Sequence, residues 1–216
     1  MRPHLNQVLV STKGDIVTTD GHRLHLAKVN REVKREIRIP RNTAMVVNAA
    51  VKADKKTTTM DYSSIGNVDH FQCRVGAFRI TFRGGLSNFP AYDQVIPKDN
   101  NKSFSTDAER FGANVEKIVA VAKDKRISGA VLEIRDNDAW ITYQNTVENI
   151  SASYFLDVET TEVTETKIGV NARYLVDAVA GLKKADIEVA FHGALDPMVV
   201  TSAKCGTLAV IMPMRI

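Results

Sequence analysis

An internal repeat is the feature that most constrains the fold of this 216-residue chain. Apolar residues spaced like one face of a helix follow Asn42, a predicted helix N-cap, and the same pattern returns after Asn171, the predicted cap of the second helix. The repeat interval is 129 residues at these asparagines and 132 residues at the Ala-Asp pairs near the helix ends, Ala53-Asp54 and Ala185-Asp186. Strand-like stretches flank both helices. The sequence therefore predicts a scaffold built twice from strands, a helix and strands.

The two copies differ at their beginnings. Residues 8–10, 16–30, 57–61 and 71–82 are strand-like in the first copy, and 131–134, 140–143, 187–191 and 198–213 are strand-like in the second. A further amphipathic helix is predicted from Asp107 to Lys123, and the first copy has no counterpart to it. We therefore expect the first copy to lack its opening strand and helix. Prolines 90 and 97 indicate an ordered connector, so we place domains at 1–100 and 101–216.

Charge is distributed unevenly along the chain. Residues 1–98 hold 16 Lys and Arg against 8 Asp and Glu, whereas residues 99–216 hold 13 against 17. Residues 128–166 contain eight acids and one cation, Arg135. This pattern indicates one face for a polyanion and another face that repels it, although ordinary solvated surfaces produce such counts too.

The outward faces of the three predicted helices and their ends are rich in cations. Cations without a base-reading pattern attract phosphates but do not read sequence, so we expect sequence-independent contact with duplex DNA. The alternative is that these side chains only keep the helices soluble. The candidate DNA-binding residues are Lys52, Lys55, Lys56, Arg110, Lys117, Lys123, Arg173, Lys183 and Lys184.

Composition excludes several classes of protein. Cys73 and Cys205 are too few for a disulfide framework and lack the spacing of a zinc site, so we expect two inert, buried thiols. Hydrophobic residues make up 44% and charged residues 25%, as in ordinary globular proteins. No stretch approaches the roughly 20 apolar residues of a membrane span, so we expect a cytoplasmic protein without membrane contact.

A metal-dependent hydrolase is the enzyme alternative that we weighed. Asp20, His22, His25 and His70 are potential ligands, but alternation along a strand puts Asp20 and His22 on one face and His25 on the other. No Gly-rich phosphate loop, nucleophile elbow or paired-Cys motif is present. We therefore expect no catalytic residue, no metal and no cofactor.

Four separated segments carry a resemblance to a known family. They are Thr-Asp-Gly-His-Arg-Leu at 19–24, Phe-Pro-Ala-Tyr-Asp-Gln-Val-Ile-Pro at 89–97, Asn-Ala-Arg-Tyr-Leu at 171–175 and Val-Ile-Met-Pro-Met-Arg-Ile at 210–216. In this order they resemble signature segments of the bacterial sliding clamp, the beta subunit of DNA polymerase III. The resemblance implies an α+β DNA clamp fold, with repeated domains of two inner helices and antiparallel outer sheets. It also implies a ring that slides on DNA.

The resemblance further implies a cleft between adjacent domains that accepts short peptides. Apolar side chains, including flexible methionines, form an adaptable groove, and a few polar groups orient the peptide. The implied partners are DNA polymerase, other proteins with clamp-binding peptides, the clamp loader and further copies of the chain. The implied cleft residues are Leu5, Thr19, Gly21, His22, Arg23, Leu24, Pro90, Gln94, Val95, Asn171, Tyr174, Pro197, Val210, Met212, Pro213, Met214 and Arg215.

The chain also departs from the family pattern. The family has three domains, and this sequence matches the second and third, so three copies of two complete domains would be needed for a six-domain ring. Gln94 stands where the family often has Arg. The leading hypothesis is a non-catalytic sliding clamp or processivity factor. The alternatives are a clamp-derived peptide-binding module that does not encircle DNA, and a piece of a longer clamp.

Overall fold

The structure, a computed structural model, describes residues 3–29, 32–54, 58–65, 68–85, 87–122, 129–135, 138–161, 165–182 and 185–215. The chain forms two compact units. The first unit comprises Met1–Gly21 and Lys28–Tyr92, and the second comprises His22–Ala27 and Asp93–Ile216. The division into domains at residue 100 remains a prediction.

Most of the described strands follow one another without a helix between them, as in an α+β chain. The strands of the first half are β1 (Gln7–Val10), β2 (Asp15–Thr19), β3 (Arg23–Lys28), β4 (Ile37–Pro40), β5 (Thr58–Ile65), β6 (Val68–Val75) and β7 (Phe78–Arg83). The later strands are β8 (Lys102–Asp107), β9 (Gly129–Arg135), β10 (Asp138–Asn145), β11 (Ile150–Leu156), β12 (Glu159–Thr161), β13 (Thr166–Asn171), β14 (Asp186–Phe191), β15 (Met198–Ser202) and β16 (Thr207–Ile211). The helices are α1 (Arg41–Asp54), α2 (Ala108–Val121) and α3 (Ala172–Val179).

The first unit combines one helix with short antiparallel sheets. Strand β1 pairs with β2 and with β4, and β5, β6 and β7 form a three-stranded sheet. Helix α1 turns its apolar stripe, Val47, Ala50 and Val51, toward this unit's core. The core side chains from β6 and β7 that receive the stripe are Phe71, Cys73, Val75, Ile80 and Phe82. The predicted amphipathic face of α1 is therefore confirmed.

The second unit places two adjacent helices on a larger core. Its strands run in the orders β12-β8-β14-β15-β16-β3 and β11-β10-β9-β13, with antiparallel neighbours throughout these described strands. The predicted apolar stripe of α2 is confirmed, because its members are almost fully buried. They are Ala108, Phe111, Val115, Ile118 and Val119, followed by Ala122 just after the helix.

The internal repeat is confirmed at the level of strand order. In the first unit β1 lies between β2 and β4, and α1 and the β5-β6-β7 sheet follow. In the second unit β9 lies between β10 and β13, and α3 and the β14-β15-β16 strands follow. Within the described residues of the first unit, β8 and α2 have no counterpart. The chain thus repeats one arrangement of strands and a helix, and the predicted α+β class is confirmed.

Two predicted single strands are hairpins. The stretch 71–82 turns at Gly76 and Ala77 between β6 and β7, and the stretch 198–213 turns between β15 and β16. Gly76 has a φ of 54° and Gly206 a φ of 60°, values that residues with a Cβ rarely adopt. The prediction missed both turns because apolar residues occur on either side of the glycine in each stretch.

The cap predictions had different outcomes for α3 and α1. Asn171 caps α3 as predicted, since its side-chain oxygen accepts a hydrogen bond of 3.0 Å from the Arg173 N–H. Asn42 does not cap α1, because the helix already begins at Arg41. The Arg41 N–H donates to the Asn6 carbonyl at 3.0 Å, which satisfies one of the N–H groups that the first helical turn leaves without a partner in the helix.

The end of α3 also differs from the prediction. The apolar stripe continues to Leu182, which suggested a helix reaching the Ala185-Asp186 pair, but the helix ends at Val179. Gly181 adopts a φ of 89°, a left-handed conformation that stops a helix. The stripe therefore extends past the helix that it predicted.

The expectation of two buried thiols is half wrong. Cys73 is buried within the first unit's core, where burial raises the pKa of its thiol. Cys205 is exposed, because it lies in the turn between β15 and β16, where its N–H bonds the Ser202 carbonyl. Hairpin turns lie at the surface, so this cysteine does not contribute to a core.

A buried carboxylate fixes the connector in the first unit. Asp15 is 3% exposed and accepts hydrogen bonds from Lys28 and from the Tyr92 hydroxyl, the latter at 2.7 Å. Burial acts to raise the pKa of Asp15, but the hydrogen bonds from Lys28 and Tyr92 and the nearby lysine charges outweigh it and lower the pKa. Tyr92 begins the short 3-10 turn Tyr92–Gln94, so this contact holds the connector against β2.

Loss of the α3 cap should destabilise the protein, whereas the matched change in α1 should not. Asn171→Ala removes the acceptor of the Arg173 N–H and should lower the free energy of unfolding by about 1 kcal/mol. Asn42→Ala changes an exposed residue inside the first turn and should be nearly neutral. Urea unfolding followed by circular dichroism measures both, and equal effects of the two substitutions would contradict the assignment of the caps.

Asp15→Asn should destabilise the protein by about 1 to 3 kcal/mol, because it leaves buried donors without their charged acceptor. Folding lowers the pKa of Asp15 from 3.8, so its contribution is complete above pH 3.8 and is lost as pH falls through the lower folded-state pKa. The difference in urea midpoint between wild type and Asp15→Asn should therefore shrink at acidic pH. Asp99→Asn, at an exposed position, is the control and should match wild type.

Candidate functional site

The C-terminal segment of the second unit lies beside the Gly-His-Arg signature strand. Strand β16 pairs with β3 so that Val210 is opposite Leu24 and Ile211 is opposite Arg23. The pairing continues beyond β16, where the Met212 N–H bonds the His22 carbonyl at 2.9 Å. Two of the four signature segments, far apart in sequence, are therefore adjacent within this unit.

The same C-terminal segment also reaches β13. The Met214 N–H donates to the Gly169 carbonyl at 2.7 Å, which forms an isolated antiparallel bridge. A Cβ on Gly129 would lie 3.7 Å from the Met214 methyl group, so β9 also lies close to this methionine. Backbone bonds at both ends thus fix the Met-Pro-Met run in place. The Met212 side chain remains 41% exposed.

Arg23 connects β3 to helix α3. Its guanidinium carbon lies 4.3 Å from the centre of the Tyr174 ring, a cation–π distance. Its Nη1 lies 2.5 Å from Oδ2 of Asp177, one turn farther along α3. Asn171, which is buried and caps α3, sets where the helix begins. The arrangement therefore brings a cation, an aromatic ring and a carboxylate together between β3 and α3.

The remaining predicted cleft residues of the second unit differ in exposure. Leu24 and Val210 are each 2% exposed, so they support the sheet from within. Val95 is 54% exposed and follows the 3-10 turn that contains Gln94, which is also exposed. Pro197 precedes Met198, the partner of Ile211 in the ladder. The half-buried residues are Pro197 and Pro213, and Arg215 is exposed.

Four predicted cleft residues belong to the first unit. Leu5 ends the 3-10 turn Pro3–Leu5 and is half-buried, as are Thr19 and Pro90. Gly21 is exposed and has a φ of 90°, and its N–H bonds the Thr19 hydroxyl at 3.2 Å. The positive φ explains why glycine precedes His22. Whether these residues bind a peptide together with those of the second unit stays a prediction.

The helices carry four of the nine candidate DNA-binding residues in the part of the chain that the structure describes. Lys52 is exposed on α1, Arg110 and Lys117 are exposed on α2, and Arg173 is half-buried on α3. The other five candidates lie outside the described residues: Lys55, Lys56, Lys123, Lys183 and Lys184.

Each described cation of the second unit's helices has an acceptor within that unit. Arg110 pairs with Asp157, and Arg173 Nη1 lies 3.3 Å from both carboxylate oxygens of Glu116. Lys117 bonds the Tyr154 hydroxyl and lies 4.2 Å from the centre of that ring. These groups are exposed enough for water and salt to weaken the pairs. The helix surface therefore carries cations whose charge is partly balanced by neighbouring acids.

Sequence reasoning missed Asp177 and Tyr154, although both contact predicted functional residues. Asp177 is on the predicted α3 helix, three positions after Tyr174. This spacing, which puts both side chains on one face of a helix, was the only sequence signal for it. Tyr154 lies on β11, a strand that was not predicted, so no sequence signal connected it with Lys117. Both contacts join residues that are distant in sequence.

The described part of the chain contains no cluster of three or more His, Cys, Asp or Glu side chains arranged to hold a metal ion. Among the same residues, the helices are too short or too polar to cross a lipid bilayer.

Comparisons with known proteins show which family the chain resembles. The family model for the DNA polymerase III beta subunit, C-terminal domain, matches residues 93–215. The beta sliding clamp of Caulobacter vibrioides is 28% identical over 215 residues, which cover 95% of this chain and 55% of that protein. The beta sliding clamp of Escherichia coli K12 is 25% identical over 223 residues, which cover 100% of this chain and 59% of that protein.

Solved structures show the same likeness. The Caulobacter crescentus beta sliding clamp superposes with a TM-score of 0.84 at 25% identity, covering 99% of this chain and 59% of that chain. The DNA polymerase III subunit beta from Pseudomonas aeruginosa, at 21% identity, shares the fold with a TM-score of 0.85 and covers 100% of this chain and 60% of that one.

The chain thus spans little more than half the length of these relatives, between 55% and 59% of the two sequences compared. The clamp fold predicted from the four segments is confirmed by these likenesses. The family match covers most of the second unit, including the helix pair and the C-terminal segment. The chain belongs to the DNA polymerase III beta subunit family, the family of the bacterial sliding clamps.

Proposed function

We propose that the chain is a non-catalytic sliding-clamp subunit that docks partner peptides and contacts duplex DNA without reading its sequence. The observation that carries the proposal is the bond between the Met212 N–H and the His22 carbonyl, because it joins two clamp signature segments into one surface. Polymerase activity belongs to the docked partner. Family membership supports a clamp role, and the site's geometry supports the docking surface.

The docking surface has the properties of a peptide-binding site. Met212 is exposed, and its flexible thioether side chain can adapt to different apolar partners. Arg23, opposite Ile211 in the ladder, stacks on Tyr174 of α3, and these two residues offer a cation and an aromatic ring that can fix the direction of a bound peptide. Because the backbone bonds of Met212 and Met214 hold the segment, binding requires only side-chain adjustment.

DNA contact is proposed to be weak and strongly dependent on salt. Arg110, Lys117 and Arg173 already have acceptors within the second unit, so phosphates must compete with them. Lys52 adds an exposed charge on α1. Counterion release by such contacts favours binding to any duplex, and affinity falls as salt increases. Retention on DNA would then come from topology rather than from affinity.

Ring formation requires additional clamp domains, and we propose that further copies of the chain supply them. The chain corresponds to between 55% and 59% of the length of the Caulobacter and Escherichia clamps. We also propose the clamp loader as a partner, since a closed ring must be opened to admit DNA. The site of action would be the cytoplasm.

Met212→Asp should weaken peptide binding at least about tenfold, because a carboxylate replaces an apolar contact at the centre of the proposed surface. Val147→Asp is the matched control, since Val147 is 93% exposed in a turn of the same unit and should leave the affinity unchanged. The measurement is fluorescence anisotropy with a labelled pentapeptide of the clamp-binding type. Failure of the wild-type protein to bind the peptide would reject the docking role. Equal affinity of the wild-type and Met212→Asp proteins would show that the peptide docks away from Met212.

Circular primed DNA should retain the protein longer than linear DNA of the same sequence, because a ring leaves a linear duplex through its ends. The measurement is gel filtration of clamp-loader reactions at two salt concentrations, with binding to free duplex as the reference. Affinity for free duplex should fall steeply with salt. Equal loss from circular and linear DNA would reject the sliding role and leave a peptide-docking module that does not encircle DNA.

A further inference from the structure

We propose that Asp177, which lies outside the predicted cleft, is a positioning residue that holds Arg23 across Tyr174 and thereby prepares the docking surface for a peptide. This inference rests on the proposed docking function. The distances that carry it are 2.5 Å from Arg23 Nη1 to Asp177 Oδ2 and 4.3 Å from the guanidinium carbon to the Tyr174 ring centre.

Helix α3 fixes the relative positions of the two residues that contact Arg23. Tyr174 and Asp177 are three positions apart on this helix, so their side chains lie on one face. The helix follows a buried capping residue, Asn171, and is anchored by the fully buried Leu175. The ring and the carboxylate are therefore presented together by a rigid element, and Arg23 from β3 reaches both.

The two contacts restrict different motions of Arg23. The ion pair with Asp177 fixes where the end of the side chain lies, and stacking on Tyr174 fixes the plane of the guanidinium. An arginine side chain otherwise samples many rotamers, and a peptide that bound it would have to bear the entropic cost of ordering it. With both contacts in place, Arg23 is ordered before the peptide arrives, which favours affinity.

The exposure of the pair indicates a role in positioning rather than in stability. The side chains of Arg23 and Asp177 are 25% and 39% exposed, so solvent screens their attraction. Removal of the Asp177 charge should therefore change the thermal midpoint little. It should instead loosen the Arg23 side chain, since the ion pair no longer fixes where the guanidinium lies along the Tyr174 ring.

The test measures the affinity of the full chain for a labelled pentapeptide of the clamp-binding type. Asp177→Asn should weaken binding about three- to fivefold, the range expected for loss of an exposed charge pair. Asp177→Glu restores a carboxylate and should recover most of the affinity. Asp196→Asn, an exposed aspartate in a turn of the same unit, changes the net charge equally and should have no effect.

Repeating the Asp177→Asn substitution in Arg23→Ala protein separates the positioning of Arg23 from any general effect of the substitution. In Arg23→Ala protein, Asp177→Asn should cause no further loss of affinity, because the residue that Asp177 positions is gone. An equal loss in both backgrounds, or wild-type affinity in Asp177→Asn, would overturn the inference while leaving peptide docking intact. Absence of peptide binding by the wild-type protein would overturn the docking function, and this inference with it.

Discussion

The backbone pairing of β16 with β3 is the interaction on which the rest of the second unit depends. Residues His22–Ala27 belong to this unit although the rest of it begins only at Asp93. Without β3, the N–H and C=O groups on one side of β16 would form an open sheet edge. The same pairing brings Arg23 to α3 and aligns Met212 with His22. A sheet interaction therefore determines the position of the functional side chains.

The helix surface of the second unit carries cations although the segment that contains it is acidic overall. The segment 99–216 holds more acids than cations, yet α2 and α3 display three described cations. Acceptors from neighbouring elements, including Asp157 after β11 and Glu116 on α2, accompany two of these cations. Such a surface attracts a polyanion weakly and permits rapid exchange between phosphates. Weak attraction is compatible with movement along DNA, which strong local binding would oppose.

Local signals predicted the helices well, and long-range contacts explain most of what sequence missed. The spacing of Phe111, Val115 and Ile118 identified α2, and Asn171 identified the start of α3. Asn42 misled because α1 follows β4 directly and begins at Arg41, which places Asn42 inside the first turn. Four motifs resembling a family located the docking segments, but Asp177 belongs to none of them. Its contact with Arg23 spans 154 positions, so only the folded chain discloses it.

The pairing of β3 with β16 also governs the order in which the molecule can assemble. During synthesis β3 leaves the ribosome well before its ladder partner at residues 207–211. Contacts between such distant segments raise contact order and slow folding. Nascent β3 must therefore wait, and a chaperone that shields it would reduce aberrant pairing with other chains.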